Sequence, residues 1–220
     1  MTKFIKAVPG SKHSVIYTDS DGREFSYENG SRAWRNNNPG NLVVGFVSKR
    51  NGQIGKAGGF AVFPDRKSGH SALLDSLKST HGNHSLEQMI GKYAPEDEND
   101  TLKYLKFLRN KTGIKDDKKI RDFTPEEFEK LWRAIETYEG SKEGEILEIP
   151  VKKKVTGVKR DEKGRIISYL IEDLGWLSKR EAIKLAESGK IDVVVVHAKY
   201  GTYLRSRPDE QSDNNLASFS

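Results

Sequence analysis

The chain has 220 residues, of which 35% are hydrophobic and 32% charged, and its 38 Lys and Arg against 32 Asp and Glu give a formal charge of +6. That length suits one large domain or two small ones, and nine Phe, eight Tyr and three Trp are enough for a core. No cysteine occurs among these residues, which excludes disulfides, thiolate catalysis and cysteine-bound metal, while the mild basic excess suits an anionic surface (nucleic acid, lipid headgroups or cell wall) without choosing among them.

The N-terminal MTKFIKAVPG lacks the apolar run of a signal peptide, and no segment is apolar enough to span a bilayer. The protein is therefore expected to be made in the cytoplasm without a classical leader. Residues 3–28 read as strands. Ser14-Val15-Ile16-Tyr17 is β-prone, Asp19-Ser20-Asp21-Gly22 is a turn, and Arg23-Glu24-Phe25-Ser26-Tyr27 alternates, so a hairpin is predicted. Glu24 and Glu28 lie on or near it and read as solvent-facing. Next comes Ser31-Arg32-Ala33-Trp34-Arg35-Asn36-Asn37-Asn38-Pro39-Gly40-Asn41-Leu42, an irregular loop, since Asn tolerates left-handed backbone and Pro-Gly favours a tight turn. Its amides suit sugar hydroxyls and acetamido groups, and Trp34 beside Arg35 reads as a binding wall. Leu42-Val43-Val44-Gly45-Phe46 is predicted as a strand, Asn51-Gly52 as a hairpin turn, and Phe60-Ala61-Val62-Phe63 as the returning strand.

The pattern then becomes helical. Asp65 can cap a helix carrying Ala72, Leu73 and Leu77, broken at His81-Gly82-Asn83. A second short helix starts at Ser85 and ends near Tyr93-Ala94-Pro95. A third, capped by Asn99 or Asp100, carries Leu102, Leu105 and Leu108. The five histidines, His13, His70, His81, His84 and His197, form no complete ligand set, so neither a metal nor a cofactor is expected.

The fourth helix, over residues 124–140, has the fullest signals. Thr124 with Glu127 makes a capping box, Pro125 falls at the first helical position, and Gly140 stops the helix. Phe128, Leu131, Trp132, Ile135 and Tyr138 form an apolar stripe. Glu139 falls inside that stripe in the last turn. Desolvation and the negative end of the helix dipole both raise a carboxyl pKa, and a carboxyl that keeps its proton near neutral pH can act as a general acid. Glu136 and Glu129 lie at the stripe's edge and are expected in solvent.

A charged, Pro-containing linker is placed at residues 146–154, dividing a domain over 1–145 (hairpin 1–30, core 31–140) from a second over 155–220. The second reads as ββαββ, an α+β module: strands at Val155-Thr156-Gly157-Val158 and over residues 166–171, a helix from Ser178, then strands over 191–196 and 200–205. Seven basic against two acidic residues between Lys152 and Arg165 fit either an anionic partner or a solvated sheet edge protected by lysines.

Several of these motifs together resemble a known family. They are Arg35-Asn36-Asn37-Asn38-Pro39-Gly40-Asn41-Leu42, Phe60-Ala61-Val62-Phe63 with Gly69 and Ala72, Tyr93-Ala94-Pro95 with Glu98-Asn99-Asp100-Thr101, and Tyr138-Glu139-Gly140. They are similar to phage and secretion-associated proteins with a lysozyme-like fold and, in their order, to bacterial cell-wall glucosaminidases. The likeness covers about residues 32–140. In the glucosaminidases the helix ending in the catalytic Glu precedes the Asn-rich loop; here it follows it, which implies a circularly permuted order with Glu139 in the catalytic place. The C-terminal part resembles a small bacterial domain family of unknown function.

The resemblance implies an α+β protein: a lysozyme-like, mainly helical domain with a small β region, followed by the small ββαββ domain. It implies peptidoglycan glycan-strand cleavage of the lysozyme, glucosaminidase or lytic transglycosylase type, by a phage lytic protein or an interbacterial effector. The site would act in the periplasm or cell wall after delivery by lysis, injection or secretion. Glu139 would be the acid, and Trp34, Asn38, Asn41 and Tyr93 would bind sugar; Asp65, Glu28 and Glu24 are the candidates for a second carboxylate, from their neighbouring segments alone. Partners would be peptidoglycan, an immunity or inhibitor protein, and a phage or secretion-apparatus component. The competing readings are a non-enzymatic wall-binding or structural module of a phage tail or secretion apparatus, and nucleic-acid binding through residues 152–165.

Overall fold

The structure is a computed structural model that describes residues 3–93, 101–115, 117–198, 201–206 and 216. The fold is α+β and divides into two units, residues 1–149 and 150–220.

The first unit opens with the expected strands, β1 (Phe4–Pro9), β2 (Val15–Asp19) and β3 (Glu24–Glu28), joined as an antiparallel meander. The β region is larger than the small one expected. A six-stranded sheet forms in the order β5-β4-β1-β2-β3-β6, adding β4 (Gly55–Ala57), β5 (Phe60–Val62) and β6 (Glu145–Ile149). Strand β6 pairs with β3 from Glu28↔Glu145 to Glu24↔Ile149. Residues 146–149 are therefore sheet, not the start of a linker. Their Ile146-Leu147-Glu148-Ile149 run is β-prone, and its charges suit an edge strand.

Two other sequence expectations are corrected. Leu42 to Phe46 is no strand: Val43 makes one bridge with Phe60, and the chain then enters helix α2 (Phe46–Arg50) after α1 (Arg32–Arg35). Ser48 turns it, since the Gly45 N–H donates to Ser48 Oγ at 2.9 Å and that hydroxyl donates to the Gly45 carbonyl at 3.0 Å. Asn51-Gly52 accordingly follows a helix instead of joining two strands. The hairpin turn is Gly58-Gly59, with φ of +57° and +89°, the left-handed pair that a two-residue loop needs.

The helical layer follows: α3 (Arg66–Asp75), continued by a π-helical turn over Ser76–Thr80, then α4 (Leu86–Tyr93), α5 (Thr101–Thr112) and α6 (Pro125–Glu139). Asp65 caps α3, its carboxylate accepting from Ser68 N at 2.7 Å. The proposed caps Asn99 and Asp100, like Ala94 to Glu98, lie outside the described residues. Leu131 and Ile135 of α6 are fully buried among Leu73, Leu77, Met89, Ile90 and Leu108, with Phe128, Trp132 and Tyr138 packed at the edge. Burying side chains of this kind stabilises the unit by about 1.5–3 kcal/mol each.

The second unit contains β7 (Val155–Arg160), β8 (Ile166–Ile171), β9 (Gly175–Ser178), α7 (Lys179–Glu187), β10 (Val194–Ala198) and β11 (Gly201–Arg205). The order is βββαββ, one strand more than expected, because β9 runs straight into the Ser178 cap of α7. Strands β7-β8-β9 form one sheet and β10-β11 a hairpin. Val158, Tyr169, Ile171, Ala182, Ile191 and Leu204 are its buried core.

Candidate active site

A cleft of about 940 Å³ opens in the first unit, lined by residues of α1, the 41–50 segment, β5, the turn after α3, α4 and the last residue of α6. Among the described residues Glu139 is the one carboxylate on its wall.

Local sequence places that carboxylate. The capping box starts α6 on a fixed residue: Thr124 N donates to Glu127 Oε2 at 2.7 Å, and Glu127 N donates to Thr124 Oγ1 at 3.3 Å. Gly140, at φ +71°, ends it. The chain then doubles back against the end of β3, where a Cβ at Gly144 would lie 1.9 Å from the Glu28 carbonyl oxygen. Ser31, the cap of α1, donates to the Gly140 carbonyl at 3.2 Å, and its N–H donates to the Lys142 carbonyl at 2.9 Å. These bonds bring the end of α6 to the Asn-rich loop.

Two donors hold the carboxylate. Asn41 Nδ2 donates to Glu139 Oε2 at 2.7 Å, and the Tyr104 hydroxyl donates to Oε1 at 3.0 Å. The Tyr104 ring stacks on Tyr138, centroids 3.7 Å apart and 11° from parallel. Burial raises the Glu139 pKa above the ordinary carboxylate value, and the bonds from Asn41 and Tyr104 and the positive charge of Arg32 oppose that rise. The net effect is upward, so the site holds a half-buried carboxyl that resists losing its proton.

The other residues singled out from sequence separate sharply. Asn41, at φ +45°, reaches the site, but as a partner of Glu139. Asn38 does not: it is fully buried, with Nδ2 donating to the Leu42 and Ala61 carbonyls and Oδ1 accepting from Leu42 N, all at 2.9 Å. Its amide is consumed by the backbone and is closed to sugar. Trp34 is turned into the sheet core, 5.0 Å from the Tyr27 ring and directly over Gly30, and is not on the cleft wall. Asp65 is the exposed cap of α3, and Glu28 on β3 accepts from Ser26 Oγ at 2.6 Å; neither lines the cleft. The side chain of Tyr93 lies outside the described residues. Glu136, expected in solvent, is instead bound by Arg66 at 3.1 Å and by His70 Nδ1 at 2.7 Å.

Sequence reading missed most of the cleft. Val43 and Phe46 project from it, 65% and 76% exposed, and Arg32 lies 4.1 Å over the Phe60 ring. His81 and Lys92 line the far side. Burial, with His84 and the Lys92 charge nearby, pushes the His81 pKa down to about 4, so it is a neutral imidazole at neutral pH. An apolar pair of large side chains left in the open beside the Asn loop was the available signal, obscured by reading that run as a strand.

In the second unit the basic stretch is partly neutralised. Lys153 pairs with Asp173 at 3.0 Å and Arg165 with Asp161 at 2.7 Å, while Lys159 lies 4.2 Å over the Trp176 ring. Among the described residues no helix is long and apolar enough to cross a membrane, and no three His, Asp or Glu side chains gather as a metal site would require.

Comparison with known protein families bears on the second unit. Residues 152–219 match a family described as protein of unknown function (DUF3892), in agreement with the resemblance noted for that part. The chain is 42% identical over 52 residues to Protein P5 of Pseudoalteromonas phage PM2, a stretch covering 24% of this chain and 32% of that protein. The chain thus spans about a third of the length of that relative. No solved structure matches. The C-terminal third of this chain is therefore similar to a small domain family of unknown function.

Proposed function

We propose that the first unit is a lysozyme-like, circularly permuted enzyme that cleaves the glycan strands of peptidoglycan, with Glu139 as general acid. One observation carries the reading: a carboxyl whose pKa burial raises, held in place by Asn41 and Tyr104, faces a cleft walled by exposed apolar and aromatic side chains. Apolar walls suit the faces of sugar rings, and a positioned acid suits a glycosidic oxygen.

Two-carboxylate glycosidases hold their pair about 5–9.5 Å apart, and among the described residues the cleft offers Glu139 alone. That favours attack by the substrate itself. Glu139 gives its proton to the glycosidic oxygen as the bond from C1 breaks and the bonding pair leaves with that oxygen. The acetamido carbonyl oxygen bonds to C1. Water, or the sugar's own C6 hydroxyl, then bonds to C1 as that C1–O bond breaks and the acetamido group re-forms, and the proton it loses passes to the ionised Glu139, restoring the acid and leaving a reducing end or an anhydro sugar. Similarity to a phage protein supports a phage lytic role acting on the wall after delivery, with the second unit as accessory. A purely wall-binding role would be favoured by Glu139 ion-paired to an arginine with no groove beside it; the groove and the absence of such a pair among the described residues favour the enzyme.

The test is incubation of bacterial sacculi with the wild type and with Glu139→Gln, with released fragments identified by mass. Fragments with anhydro or reducing ends, lost in the folded variant, are expected. Equal release by both proteins would remove Glu139 from the chemistry, and sacculi that bind the protein but stay intact would make it a binding module.

A further inference from the structure

Strands β7, β8 and β9 turn one face to the core of the second unit and the other outward. Val158, Tyr169 and Leu177 stand in register on the core side. Side chains alternate along a strand, so the flanking rows, Gly157-Leu170-Trp176 and Lys159-Ser168-Ser178, point the other way. Trp176 is 44% exposed there. Its indole reaches from β9 across β8 to β7: a Cβ on Gly157 would lie 3.6 Å from Trp176 Cη2 and 3.4 Å from Leu170 Cβ. Gly157 thus leaves the path of the ring clear. The Lys159 ammonium rests over that ring, 4.2 Å from its centroid.

Charge on these strands and their turns is one-sided. Lys153 is paired with Asp173 and Arg165 with Asp161. Five cations remain over residues 152–178, Lys152, Lys154, Lys159, Arg160 and Lys163, against Glu162 and Glu172, and none of these makes an ion pair among the described residues. A lysine resting on an exposed ring gains little, so an anion readily draws it off. The ligand that matches both groups carries negative charges and flat apolar rings in alternation. Single-stranded nucleic acid is such a polymer: its bases stack on aromatic side chains whatever the sequence, and its phosphates take the cations. A duplex keeps its ring faces inside its own stack, and polyphosphate or a lipid headgroup has no flat ring to offer.

We propose that this outward face binds single-stranded nucleic acid, with one base stacked on the Trp176 indole and Lys159 swung from the ring to an adjoining phosphate. The function is a second one, confined to the second unit, and it stands whether or not the cleft of the first unit cleaves glycan.

The test is fluorescence anisotropy of the full chain with a labelled oligothymidine of about 12 nucleotides, within the span of single-strand sites, beside its duplex with oligoadenosine, polyphosphate, and phosphatidylglycerol vesicles. Trp176→Ala is expected to weaken oligothymidine about tenfold, the loss of one stacked base. Lys159→Gln should lower the slope of log affinity against log salt by about 0.7, the share of one phosphate on a single strand. Unlabelled oligothymidine should also quench the indole emission of the wild type, and that quenching should vanish in Trp176→Phe, which keeps a ring for the base and so reads the contact without deleting the platform. Duplex bound as tightly as the single strand, or binding without quenching, would mean that charge alone attracts the polymer and would overturn the stacking site. Binding of polyphosphate or vesicles without oligothymidine would give the face to another anion, and no binding of any probe would leave it without this function; each overturns the proposal.

Discussion

At the scale of single residues, the site is a balance around one carboxyl. Burial raises the Glu139 pKa, and Tyr104 and Asn41 lower it by donating to the ionised form. Tyr104→Phe removes a donor to the charged state, so the pKa rises further and the alkaline limb of kcat/KM, where the acid is lost, moves to higher pH. A pH–rate profile of the variant checks this; a limb that moves down would mean that Tyr104 serves the protonated form. His81 has the opposite effect on stability. Its folded pKa is near 4 and thus below the usual value, so it contributes stability that is full above about pH 6.5 and lost as pH falls through about 4. The most that this can supply is about 3 kcal/mol. Denaturant unfolding at several pH values should show a steeper acid loss for the wild type than for His81→Gln, and parallel curves would refute it. The two asparagines read alike in sequence and differ in the structure. Asn38→Ala strips three buried backbone partners and should cost roughly 2–3 kcal/mol in unfolding free energy, whereas Asn41→Ala should lower activity with little change in stability. Nothing in Asn-Asn-Asn-Pro-Gly-Asn distinguishes them, because the partner of Asn38, the Ala61 carbonyl, belongs to a strand pair whose position the run does not encode.

At the scale of elements, what could be read was what is local. Helix α6 was legible to the residue: Thr124, Pro125, Glu127 and Gly140 each act within one turn, and the apolar stripe repeats with the helix itself. Thr124→Ala should therefore destabilise the unit by about 1 kcal/mol, seen as a lower unfolding midpoint. The start of helix α2 was not legible, because the apolar run Leu42 to Phe46 fits a strand, while only its last residue belongs to the helix, whose first turn is set by the Ser48 hydroxyl folded onto Gly45. The Gly58-Gly59 turn was a readable hairpin signal, overshadowed by Asn51-Gly52. Gly69, on α3, marks a contact that no local pattern shows: a Cβ there would stand 1.8 Å from the Asn37 carbonyl oxygen. Gly69→Ala should displace the Asn loop from α3 and cost both stability and Glu139-dependent activity, and a variant with unaltered melting and turnover would contradict the packing.

At the scale of the whole molecule, every cleft residue belongs to the unit 1–149, while the family similarity falls on residues 152–219. The proposed chemistry thus lies outside residues 152–219. The division into two units was legible from the change in composition near residue 150. Its position was misjudged by a few residues, because the pairing of β6 with β3 joins segments far apart in sequence. That same long reach governs how the protein comes into being. Asn41 and Glu139 are 98 residues apart along the chain, and the segment that ties the end of α6 to the Asn loop, Gly140 to Lys142, is among the last of its unit to leave the ribosome. Closing so large a loop is entropically late, so a growing or prematurely ended chain that stops short of that segment lacks the bonds that bring its acid to the Asn loop, and the wall-cleaving potential proposed here arises only late in the making of the first unit.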